Sequence, residues 1–406
     1  MIEYDPCSLQ VSDDPWEVLK QLRDEAPIYK HPDYVPFFLS RYADVMKALL
    51  DLKSWTVTQG TTPMQNLLHP ALPDEEPAPN FYEQMEIELG AVATLDPPVH
   101  TRVRKQINAP FKPAAAAELE PFAREIVRGC LAKGRERGGL DGVTELAGKL
   151  SVRVALKVLG LPQEDADQYS TWINAMFNRG LGNRELPEGA MEASLALHTD
   201  LIQKVMDYRK NNTRIGGLGD VILYSDFEGR PLNDFEASFH FSMVLIGGTE
   251  TLPKAASAAM WRLWQHPDQR AEVAADLSLV PQAFHEALRY DMPTQMLGRV
   301  ALREQEFHGQ KVAPGECVMF LWPSANRDER QFENAEQFDI HRGFPKILSF
   351  GQGAHMCLGA HMARMEGRVL LEELIAAFPE YEIDEGNAQR IRNEMFRGFT
   401  NLPLSF

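Results

Sequence analysis

The stretch Phe350-Gly351-Gln352-Gly353-Ala354-His355-Met356-Cys357-Leu358-Gly359 decides how the rest of the chain is read. Two glycines before a cysteine permit a tight turn in which backbone comes close to something flat. Gly359 removes a side chain where the apolar periodicity of Leu358 to Phe378 begins a helix. Cys357 is thereby expected at a helix N-terminus, where the dipole and free N–H groups favour a thiolate, the form of sulfur that iron binds. A lone cysteine in a Gly-rich turn is most often structural. Here the Phe, both Gly, the His and the last Gly stand at fixed offsets around it.

Outward from this loop the pattern is mainly helical. Apolar residues recur at helical spacing in Pro15 to Glu25, Ala43 to Leu50, Ala114 to Glu136, Leu146 to Leu159, Met191 to Lys210, Asn233 to Gln265 and Pro281 to Tyr290. Strand-like stretches are short: Phe37 to Ser40, Arg299 to Phe307, Cys317 to Trp322 and Leu402 to Phe406. No repeat or flexible linker divides the chain, so one domain over 1–406 is expected. His69 to Asn80, rich in Pro and acid, reads equally as a lid or as a surface loop.

Phe, two residues, Gly, three residues, Cys, one residue, Gly resembles the haem-binding signature of the cytochromes P450. The resemblance implies a mainly α fold with small β-sheets, in which haem b lies between a long kinked central helix and a cysteine-ligand loop and helix. Phe350, Gly351, Cys357 and Gly359 would form the loop, with Cys357 as the axial thiolate. His100, Arg104, Arg299 and His355 match the family's propionate contacts, and two carboxylates in a partly buried site need such charge-assisted donors. Glu286 and Arg289, at i and i+3 on a short helix, resemble the family's structural ExxR pair, with Arg342 as third partner.

The long helix opens with Asn233 and Glu236, a capping-box spacing. Its middle reads Leu245-Ile246-Gly247-Gly248-Thr249-Glu250-Thr251-Leu252-Pro253. Two adjacent glycines weaken it, and Pro253 has no N–H for the carbonyl of Thr249, so the ladder is expected to bulge. The stretch resembles the family's oxygen-activation motif. Gly248, Glu250 and Thr251 inherit its roles: Thr251 the alcohol at the reacting oxygen, Glu250 the acid that relays protons. Gly247 replaces the more usual Ala, and Pro253 is not a general feature; both suggest a wider groove.

Composition fits this reading. With 41 Lys+Arg against 58 Asp+Glu the net charge is −17, which argues against nucleic acid as partner. Residues 1–96 hold 17 acidic and 6 basic side chains, whereas Pro97 to Lys112 carries Arg102, Arg104, Lys105 and Lys112 with no acid. Cys7, Cys130, Cys317 and Cys357 form no CxxC pair, no signal peptide is evident, and no apolar run approaches the ~18 residues of a membrane span. A cytoplasmic monomer without membrane contact is expected.

The resemblance implies a monooxygenase that inserts one oxygen atom of O2 into an organic substrate. It covers the chain without a fused flavin or iron–sulfur domain, so electrons are expected from a separate ferredoxin and its NAD(P)H-dependent reductase. Arg102 to Lys112, with Lys346 and Arg364, is the expected docking face. Family positions give a pocket from the Thr56 to Thr94 region, Met176, Phe177, Met243, Ile246, Gly247, Gln295, Met296, Leu297, Met395 and Phe396. These imply a hydrophobic small or mid-sized substrate, with Gln295 as one polar handle. The alternatives are a peroxide-using haem-thiolate enzyme and a non-catalytic haem sensor; the paired Glu250 and Thr251 disfavour both.

Overall fold

The computed structural model describes residues 2–63, 65–70, 87–177, 180–182 and 187–406. The His69 to Asn80 lid reading therefore falls almost wholly outside the described residues. Helices occupy most of the chain, with small sheets at its margins.

The central helix runs as Asp234–Thr249 and, after an interruption at Glu250, Thr251–Gln265. Asn233 caps it: its side chain accepts from the Glu236 amide, and the Glu236 carboxylate returns to the Asn233 amide. The helix is apolar all round, which suits a segment packed between Gly148–Leu159, Glu188–Lys210 and the C-terminal helices. The predicted irregularity is present as the interruption at Glu250, three residues before Pro253. Pro253 has no N–H to offer the Thr249 carbonyl, and Ser151 Oγ, from Gly148–Leu159, donates to that oxygen at 3.2 Å. Gly248 lets these helices meet, since a Cβ there would lie 3.2 Å from Ala155 Cβ.

On the other side of the core, Ala360–Ala377 packs along Pro113–Arg137 and against Val280–Tyr290. Gly367 is required for that second contact. A Cβ would stand 2.2 Å from Phe284 Cζ, inside any tolerable separation.

The largest sheet has the strand order Ile28–Lys30, Phe37–Leu39, Cys317–Leu321, Met296–Ala301, Trp55–Thr56. Cys317–Leu321 pairs parallel to Phe37–Leu39 and antiparallel to Met296–Ala301, where Val318 faces Arg299. One strand prediction needs correction. Arg299 to Phe307 is not one strand: Met296–Ala301 ends before a turn, and Gln305–Phe307 begins a separate hairpin with Gln310–Val312. The strand expected over Leu402 to Phe406 is present as Pro403–Ser405, between Glu382–Ile383 and Gly139–Asp141.

Candidate active site

The cysteine loop is held from beneath by side chains distant in sequence. Glu286 and Arg289, 1% and 0% exposed, pair at 2.7 and 2.8 Å, and Arg289 also donates to the carbonyls of Asn326, Ala335 and Gln337 at 2.9–3.0 Å. Arg342 Nε reaches Glu286 at 3.2 Å, so the structure brings all three together. From this knot Asn326 extends to the loop: its Oδ1 accepts the Leu348 amide at 2.8 Å and its Nδ2 donates to Ser349 Oγ at 2.9 Å. Gly351 takes φ +64°, and the Cys357 amide closes the turn on the Phe350 carbonyl at 2.7 Å. Arg364 lies over the Phe350 ring, 4.4 Å from its centroid.

Cys357 does not sit inside the helix that follows. That helix starts at Ala360 with Gly359 as N-cap. Burial pushes the thiol up from its usual range, and the Gly359 amide, Arg104 and Arg364 only partly oppose it.

Although deep in the protein, Cys357 presents open surface. So do Gly247 and Gly248, midway along a helix in which Leu245 and Thr249 are buried. Each of these positions borders unfilled space. A Cβ at Gly247 or Gly359 would meet nothing within 4 Å. Thr251 is also open, and its Oγ1 donates to the Gly247 carbonyl at 3.2 Å. Glu250 is not: it is 1% exposed and paired with Lys254.

The cationic candidates gather in one place. The His100 and His355 rings are 4.2 Å apart, and Arg104 Nη1 donates to the Ala354 carbonyl at 3.1 Å. Both ring nitrogens of His100 are buried without a hydrogen-bond partner. Burial, then Arg299, His100 and Arg104, push His355 down to about 3; burial pushes Arg299 down to about 10. Two guanidinium groups, beside imidazoles that burial and their charge hold neutral, form a receptacle for anions. The unfilled space, a sulfur bordering it and this receptacle together fit haem with two propionates.

The pocket residues divide. Met243 packs with Ile87, Ala91 and Phe239, while Ile246 and Leu297 are half-buried against the main core. Strand alternation sends Met296 to the opposite face, where it is 2% exposed in the core behind the sheet, so it is no pocket wall. Met395 is half-buried. Phe396 is 3% exposed with its ring edge-on to Phe177 at 5.0 Å. The Gln295 amide donates to the carbonyls of Asn393 and Phe396 at 2.6 and 3.1 Å, and is thereby committed to holding the 393–396 turn. Asn393, absent from the sequence reading, supports the same turn by accepting the amides of Met395 and Phe396. Ser151 and Lys254 were also missed. Lys254 is legible as i+4 from Glu250, but Ser151 lies about 100 positions from the carbonyl it serves and carries no local signal.

The family model described as Cytochrome P450 matches residues 197–406, over half the chain. The chain belongs to the cytochrome P450 family. It is 33% identical over 405 residues to a putative cytochrome P450 123 of Mycobacterium tuberculosis, covering 99% of this chain and 96% of that one. It is 30% identical over 392 residues to a vitamin D(3) 25-hydroxylase of Pseudonocardia autotrophica, covering 95% and 92%. Among solved structures, CYP109E1 from Bacillus megaterium in complex with testosterone superimposes with a TM-score of 0.84 at 26% identity, over 97% of each chain. The fold is the P450 fold, and this P450 is a monooxygenase that uses haem and O2. Among the described residues no helix is long and apolar enough to cross a membrane.

Proposed function

We propose that this P450 hydroxylates hydrophobic small or mid-sized organic molecules in the hollow between Gly247 and Cys357. The observation that carries the reading is that Cys357, deep in the protein, and Gly247 and Gly248, midway along the central helix, all present open surface, which we read as one shared hollow. Cys357 is assigned as the iron ligand, and His100, Arg104, Arg299 and His355 as the group that receives the propionates. Bound haem with a thiolate ligand supplies O2 activation and O–O cleavage. The protein's own part is to hold substrate against the Gly247 face, restrict water and deliver protons. Thr251 is placed to hold a proton at its Oγ1, and Glu250 to resupply it.

Ile246, Gly247, Leu297 and Met395 offer apolar contact, and with the Gln295 amide engaged elsewhere, the substrate is bound mainly by shape and apolar area. The related vitamin D(3) hydroxylase and the testosterone complex support a substrate of terpenoid or steroid size. We assign one domain to 1–406, a cytoplasmic location and a monomeric state, with electrons from a separate ferredoxin and reductase. The docking face is narrower than the sequence suggested. Arg102 pairs with Glu228 at 2.6 Å and Arg104 turns inward. That leaves exposed Lys105, Lys112, Lys346 and Arg364, the last of which lines a cavity of about 390 Å³ with Pro113, Phe284, Phe344 and His361.

The test is the absorption spectrum of the reduced, CO-bound protein. A strongly red-shifted Soret band is expected, and Cys357→His should replace it with a globin-like band. A globin-like band in the wild type would refute the ligand assignment. A panel of apolar compounds scored by low-spin to high-spin conversion then identifies the substrate class.

A further inference from the structure

Lys254 lies one turn beyond Glu250 on the central helix, 3% exposed, and its Nζ donates to Glu250 Oε1. Neither side chain reaches the hollow on which Gly247, Gly248 and Thr251 open. The second carboxyl oxygen, Oε2, is buried with no hydrogen-bond partner. The Lys254 stem is fixed: Gly398, at φ +139°, lies so close that a Cβ on it would be 2.7 Å from both Cβ and Cγ of Lys254. Ser257 Oγ secures the Lys254 carbonyl at 3.0 Å. The acid assigned to proton relay is therefore turned along the helix, away from the alcohol it would serve.

We propose that Lys254 is a positioning residue for proton delivery, holding the Glu250 carboxyl out of the hollow so that the pair must part before Glu250 can serve Thr251. Lys254 is the one charged side chain recorded as acting on Glu250 among the described residues, which makes it the latch on that motion. Burial pushes Glu250 up and Lys254 pulls it back, so the cation also opposes neutralisation of the acid. Without the ammonium, an unpaired carboxyl in this position takes up a proton and is free to turn.

This inference rests on the acid–alcohol reading of Glu250 and Thr251, and the test separates the two. Lys254→Met keeps the stem that packs on Gly398 and removes the cation; Lys254→Gln serves if Lys254→Met does not fold, and Lys254→Arg should restore the wild-type state. The first readout is infrared. The protonated-carboxyl C=O absorption should be stronger at pH 7 in Lys254→Met than in wild type, the added intensity should be lost in Lys254→Met/Glu250→Gln, and Lys254→Arg should stay at the wild-type level. The second is product formed per electron against pH, which should gain an alkaline limb in Lys254→Met as the freed acid ionises, with the share of electrons lost as peroxide there rising by about threefold or more. If the variant only melts earlier, with band and profile unchanged, the proposal is overturned. If Glu250→Gln and Thr251→Ala leave coupling at the wild-type level, the acid–alcohol reading itself fails.

Discussion

Ser151→Ala tests the account of the central helix most directly. Pro253 has no N–H for the Thr249 carbonyl, and Ser151 Oγ approaches that oxygen at 3.2 Å from another helix. Both residues are buried, at 1% and 2% exposure, so water cannot substitute. Removing the donor should cost about 1–3 kcal/mol for a stranded buried carbonyl. The hydroxyl also lies 3.2 Å from the Gly148 carbonyl and shares its single proton, which places the expectation at the lower end, about 1–1.5 kcal/mol. Pro253→Ala restores an N–H at the right register and removes the ring that crowds the previous turn. In that background Ser151→Ala should cost under about 0.5 kcal/mol, a coupling of about 1 kcal/mol between residues 102 positions apart. Urea unfolding of the haem-loaded single and double variants, followed by Soret absorbance and far-UV circular dichroism, measures it. If the two substitutions are additive, Ser151 is not the donor that replaces the missing backbone bond.

Other substitutions probe the site and its supports. Thr251→Ala removes the Oγ1 that donates to the Gly247 carbonyl; substrate-induced spectral change should persist while most electrons emerge as peroxide, measured as peroxide formed per NAD(P)H consumed. Gly367→Ala drives a methyl group into the Phe284 ring and should cost about 1–3 kcal/mol despite better helix propensity, with Phe284→Leu in the same chain recovering most of the loss in a thermal melt. Glu366, 5% exposed with Oε2 unpartnered, has a carboxyl that burial pushes well above its usual range. A carboxyl raised in the folded state stabilises fully below its unfolded value near ~4.3, and that contribution is lost as pH rises toward the folded value. Glu366→Gln should therefore gain stability over wild type as pH rises from about 4 to 8, and a gap that does not change with pH would contradict the burial argument.

What could be read in advance depended on whether a residue's partner lay nearby in sequence. The cysteine loop, the capping box of Asn233 and Glu236, and the interruption ahead of Pro253 are local devices, and their consequences follow from neighbours within a few positions. Propionate candidates from three separate segments were named by resemblance, and the structure gathers them around the paired rings of His100 and His355. Misreadings arose where orientation or long-range competition decided. Met296 and Leu297 are adjacent and both apolar, yet strand alternation sends one behind the sheet and leaves the other on the face that carries Arg299, a choice fixed by pairing with Cys317–Leu321. Arg102 looked like part of a free basic run until Glu228, 126 positions away, claimed it. Gln295 looked like a ligand handle because an amide in an apolar row invites that reading, but two backbone carbonyls of the 393–396 turn already occupy its N–H groups. The central helix combines both situations. Its sequence shows that a carbonyl must lose its partner at Pro253 and that Lys254 falls on the same face as Glu250. Only the packed structure shows that Ser151 donates to that carbonyl and that the Glu250–Lys254 pair is buried while Thr251 is not, which is the ground for proposing that Glu250 must be released before it can relay a proton.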